Sequence, residues 1–149
     1  MLYQMQEGYL TLEGEWKDQS VNLLVPGHFE ARGVNLVVAR DVIPDGTAFD
    51  DYIVKQKENL GNALVNFELT HEVSGRVEAR PAHFMEFRWN NDGTVCNQMM
   101  SVISLEDHVL SITATMQGEI DEKARETLFS AMRSFKTGTA KNSPGGAVS

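Results

Sequence analysis

The clearest periodic stretch in the chain is FDDYIVKQKENLGNAL, residues 49–64. Phe49, Tyr52, Ile53, Leu60, Ala63 and Leu64 recur at about 100° per residue and form one stripe. Asp50, Asp51, Lys55, Lys57, Glu58 and Asn62 take the opposite side, with Asp51 and Lys55 one turn apart. The pattern predicts an amphipathic helix. Gly46 and Thr47 mark its start, and Asp50 follows three residues on, in the place of a capping-box acid. Gln56 breaks the apolar stripe near its centre, where a buried amide needs partners.

Elsewhere a period of two dominates. Tyr3–Leu12 predicts one or two short strands broken at Gly8 and Gly14, with Trp16 beyond as a core anchor. Ser20–Val25 places Val21, Leu23 and Val25 on one face, and a loop bracketed by Pro26, Gly27 and Gly33 follows. Asn35–Asp41 is apolar on both faces, the mark of a central strand: Leu36 and Val38 oppose Val37 and Ala39. After the helix, Asn66–Val73 reads as a strand, Ser74–Gly75 as a tight turn and Arg76–Ala79 as the return, closed off by Pro81. Ala82–Asn90, Thr94–Leu105 and Val109–Met116 form an antiparallel meander, with turns at Asn91–Gly93 and Glu106–His108. A last helix over about 121–135 carries Ile120, Ala124, Leu128, Ala131, Met132 and Phe135 as its stripe, to pack on one face of the sheet. The whole predicts one α+β domain over residues 1–135, and 136–149, rich in Gly, Ser and Pro, as a disordered tail.

Composition narrows the classes of partner. A chain of 149 residues, 42% hydrophobic, can bury one domain's core. A net charge of −8 opposes nucleic acid as a partner, because phosphate repels an acidic surface. No apolar run approaches the ~20 residues of a membrane span, and the N-terminus lacks the basic start and apolar core of a secretion signal. A soluble, cytoplasmic protein is expected, and its one cysteine, Cys96, agrees with a reducing compartment.

Candidate chemistry is sparse. His28, His71, His83 and His108 are scattered without ligand spacing, and no nucleophile elbow, phosphate loop or dinucleotide fingerprint occurs. Cys96 lies mid-strand among apolar neighbours, and Glu86 and Arg88 read as a solvated strand face or as paired across to a neighbouring strand. No catalytic residue, metal or cofactor is assigned, and the reading is of a non-enzymatic protein. Two amides stand out in apolar rows, Gln56 on the helix and Gln98 beside Cys96 and Met100. Each is either a satisfied core amide or, if helix and strand face each other, part of an apolar trough with hydrogen-bonding groups for another chain's helix.

The segments LYQMQEGYLTL, EWKDQSVNLLV, NLVVARD, FDDYIVKQKENL and CNQMM, in that order, resemble the Eag chaperones of bacterial type VI secretion, from about Leu2 to Phe135. That resemblance implies a PsbP-like architecture with a curved antiparallel sheet, assembled as a homodimer. It implies a partner as well: the N-terminal region of a PAAR/Rhs effector, whose hydrophobic helices are shielded in an apolar groove without insertion of the chaperone into a membrane. By position, the client-binding residues it implies are Val21, Leu23, Val37, Ala39, Gln56, Leu60, Leu64, Thr94 and Gln98, with Leu60 and Leu64 open to a dimer contact instead. The competing class is a carrier of a small hydrophobic ligand or lipid, which a closed pocket of a few hundred Å³ would favour.

Overall fold

The computed structural model describes residues 2–5, 7–15, 20–24 and 34–138. The expectations for Trp16, Val25, the 26–33 loop, His28 and residues 139–149 fall outside these. In chain order the elements are β1 (Leu2–Met5), β2 (Gly8–Thr11), β3 (Asn22–Leu24), β4 (Asn35–Asp41), α1 (Phe49–Ala63), β5 (Glu68–Val77), β6 (Arg80–Asn91), β7 (Thr94–Ser104), β8 (Val109–Gln117) and α2 (Glu122–Arg133). β1 and β2 form a separate antiparallel pair. The other six strands make one antiparallel sheet in the order β3-β4-β8-β7-β6-β5, so the fold is α+β with two helices, as the hydrophobic pattern predicts.

The helices lie on opposite faces. Tyr52 and Ile53 of α1 are buried with Met85, Phe87, Val102 and Val109, and Phe49, Leu60 and Leu64 pack around them. Alternation along the strands assigns these β6 and β7 residues to one face. On the other face Met132 of α2 is buried with Met99, Ala114 and Ile120, while Phe129 reaches across to Phe84, their rings edge to face at 4.9 Å. Each helix stripe differs from expectation by one alanine. Ala63 and Ala131 are exposed, and Phe129 supplies the contact that the α2 pattern misses. Burial favours the side chain with more apolar area to remove from water.

Four further expectations are corrected. The β5–β6 turn is at Glu78–Ala79, both left-handed (φ 51° and 60°), and β5 runs straight through Ser74 and Gly75. Gly75 is a strand residue over which the Phe84 ring lies, 3.5 Å from where a Cβ would stand. Pro81 belongs to β6, paired with Arg76, at a position before the β7 ladder begins at Ala82. The start of α1 carries no side-chain cap: Ala48 is the N-cap, preceded by a turn from Thr47 N–H to the Pro44 carbonyl at 3.0 Å. Asp50 and Asp51 still face the N-terminal dipole. Finally, Glu86 is not solvated, since its carboxylate receives Arg125 of α2 at 2.7 and 3.0 Å. At the other end of the chain, Thr137 donates to Glu78 through both its amide and its hydroxyl, so the chain is held against the β5–β6 turn this far.

Candidate functional site

Among the described residues, the α1 face of the sheet has a covered half and an open half. Register sets this out row by row. One transverse row runs Leu23, Val37, Thr113, Met100, Met85, and a second runs Ala39, Ser111, Val102, His83. A third runs Asn35, Thr115, Gln98, Phe87. The hydrophobic contacts of α1 are with the β5, β6 and β7 end of these rows together with Val109. The β3, β4 and β8 end is left as a trough, with Met100 and Gln98 on its α1 side and Leu23 at its far lip.

The trough has a specific lining. Leu23 is 66% exposed and Val21, just before β3, 58%, an unfavourable placement for large aliphatic side chains unless something covers them. Val37 and Ala39 are half-buried on the floor, as are Ser111, Thr113 and Thr115. These short side chains keep the floor low enough for a helix backbone to come close, as small residues do between membrane helices. The three β8 hydroxyl residues were not singled out from sequence. Their signal was there: in SITATM the polar side chains alternate with Ile112, Ala114 and Met116, a polar face on a strand in the middle of a sheet.

The two amides are placed as follows. Gln98 is half-buried; its Oε1 accepts the Trp89 indole N–H at 2.7 Å and its Nε2 donates to Thr115 Oγ1 at 2.8 Å. The first alternative from sequence, a satisfied core amide, therefore holds for Gln98, which keeps one N–H to give. Gln56 is half-buried on α1, one turn from Tyr52, whose hydroxyl donates to Asp41 Oδ2 at 2.9 Å. Burial, reinforced by the Asp41 carboxylate, pushes the Tyr52 phenol well above its ordinary value, so it remains a neutral donor. This bond ties α1 to the end of β4. Leu60 and Leu64 pack partly into the α1 core, and Thr94 is exposed beside the Asp92–Gly93 turn at the end of β7.

A polar cluster pins the other side of α1. Glu72 accepts Lys57 Nζ at 3.2 Å and lies 2.7 Å from His83 Nε2, while His83 Nδ1 is 3.1 Å from Ser74 Oγ. The His83 contact is the main cause of a lowered Glu72 carboxyl. Ser, His and Glu in sequence suggest a nucleophile relay, but Ser74 lines neither the cavity beside Phe129 nor the one beside Leu128, and Glu72 is committed to Lys57. The cluster acts as a clamp. Burial pushes the Cys96 thiol up, away from the reactive thiolate. Among the described residues no group of three His, Cys, Asp or Glu side chains is placed to hold a metal, and no helix is long and apolar enough to cross a membrane.

The chain is 29% identical over 93 residues to the effector-named protein EagT6 of Pseudomonas aeruginosa, an alignment that covers 62% of this chain and 65% of that relative, just under two thirds of its length. A crystal structure of a Pseudomonas aeruginosa protein of unknown function, PA94, described as a putative regulator, superposes with a TM-score of 0.74 over 94% of this chain and 98% of the other, at 24% identity. LpqN of Mycobacterium tuberculosis, involved in cell envelope biogenesis, superposes with a TM-score of 0.53 over 80% of this chain and 82% of the other, at 11% identity. The two structures share the fold, and the EagT6 alignment carries the Eag relationship that the sequence motifs suggest. The DcrB family model matches residues 7–134, which take in everything from β2 to α2, and the chain therefore belongs to the DcrB family.

Proposed function

We propose that this protein is a chaperone of type VI secretion that shields the hydrophobic N-terminal helices of a PAAR-containing effector in the trough beside α1, as a homodimer, until the effector is loaded on the secretion spike. The relationship to EagT6 supports the association with an effector. The observation that carries the reading is the open half-face itself, where Leu23 and Val21 stand in solvent next to a floor of short side chains. A membrane-seeking helix laid there exchanges water for apolar contact at ~25 cal/mol per Å², less the cost of ordering and association. Thr113, Thr115 and the free N–H of Gln98 meet its stray carbonyl or hydroxyl groups. A lipid carrier would need an enclosed space on this face, and an open trough favours a long partner over a small one.

The test is co-expression with a PAAR effector whose N-terminal segments are apolar. Leu23→Glu and Val37→Glu each place an unpaired charge against the client helix, a cost of several kcal/mol. The effector recovered in the soluble fraction with either variant is expected to fall at least tenfold, with the chaperone still soluble. Undiminished co-purification with both variants overturns the reading.

A further inference from the structure

On the face opposite the trough, α2 covers β4, β8 and β7 and leaves β5 and β6 partly bare. A cavity of about 400 Å³ opens there. Phe84, Met99 and Met132, all buried, form its floor; Phe129 is one wall and the exposed Val73 its outer lip. Its mouth is acidic. Glu86, only 12% exposed, holds Arg125 through both carboxylate oxygens and has His71 Nδ1 3.3 Å away. Arg125 also donates to Glu122 at 2.9 Å and to the Ile120 carbonyl, so four of its five N–H groups are taken and one on Nη1 remains. Glu126 stands on the same rim, exposed, with no partner among the described residues. Three carboxylates thus face one guanidinium. Glu72 also borders the cavity, but its carboxylate is held on the other face by Lys57 and His83.

We infer that this cavity is a second binding site, which takes a small amphiphile with an apolar chain or ring between Phe84, Met99 and Phe129 and a cationic head on Glu126 and Glu122. Its volume falls in the range of small-ligand sites. The acidic mouth supplies the selectivity by favouring a cation and repelling an anion. The site is independent of the trough, which is on the other side of the sheet, and it stands whether or not the trough holds an effector.

The chain with ¹³C-methyl methionine and leucine separates the two faces, because Met99 and Met132 line the cavity and Leu23 stands at the lip of the trough. Titration with dodecyltrimethylammonium below its micelle concentration is expected to shift Met99 and Met132 saturably, more tightly than dodecyl maltoside and far more tightly than dodecyl sulfate. Glu126→Lys should weaken the cationic probe roughly three- to tenfold, the scale of losing and reversing one exposed ion pair, and Glu126→Gln by less. Val37→Glu, on the far side, should leave the Met99 and Met132 response unchanged. Shifts confined to Leu23, or equal affinity for the three head groups, overturn the inference.

Discussion

The Glu86 side chain shows what a single ion pair contributes here. Hydrogen bonds from the Arg125 guanidinium, more than its charge, hold the Glu86 carboxyl below the usual carboxylate range, against the opposing effect of burial. A group depressed in the folded state stabilises fully above its unfolded value, near 4.5, and that contribution disappears as pH falls through the folded value. Glu86→Gln should therefore lower stability at pH 7 by about 1 kcal/mol, at the low end for a charged hydrogen bond because Arg125 is about one-third open to solvent. The gap between variant and wild type should narrow below pH 4. Urea midpoints at pH 7 and pH 3.5 measure it; other carboxylates shifted by their partners, such as Glu72, cancel in the difference. A gap that does not change with pH would mean that the charge on Glu86 contributes nothing and that the loss comes from packing or neutral hydrogen bonds.

At the scale of elements, the link that orients α1 is the bond from Tyr52 to Asp41, which ties the helix to β4 and fixes the angle of the trough wall. Tyr52→Phe should cost about 0.5–1.5 kcal/mol, the net worth of one hydrogen bond, because the exposed Asp41 finds water instead. A second readout follows from the raised phenol: the tyrosinate absorbance of wild type minus that of Tyr52→Phe should contain no step near pH 10 before the protein unfolds. Such links do not appear in hydrophobic period, which explains what the sequence revealed and what it hid. β6, β7 and β8 were legible because their alternation is long and the Asp92–Gly93 turn has both residues at positive φ, as a two-residue hairpin requires. The β5–β6 turn was not, because Glu78 and Ala79 are poor turn formers, while Ser74–Gly75 carries a turn signature inside a strand. The Gln98 anomaly was visible as an amide in an apolar row, but its partners, Trp89 and Thr115, come from two different strands. Only register brings them together.

For the whole molecule, the decisive feature is that the two helices are offset across the sheet, one over the β5–β7 end and the other over β4, β8 and β7, which leaves one open half on each face. The covered halves carry most of the core, and the exposed side chains of the open halves, such as Leu23 and Val73, carry little of it. This separation predicts a contrast between two residues on the α1 face, both in its transverse rows. Phe87, 1% exposed beneath α1, should cost about 3–5 kcal/mol when replaced by Ala, as large core truncations do. Leu23, in the open half, should tolerate Glu with a change within about 0.5 kcal/mol, as surface substitutions do. Denaturant unfolding of the two variants and the wild type, with unchanged slope, checks the pair. If Leu23→Glu destabilises as much as Phe87→Ala, that half-face is already covered by the protein itself and no trough exists for a client. If it leaves the fold intact and still abolishes effector recovery, then the apolar surface at β3 serves binding and not folding.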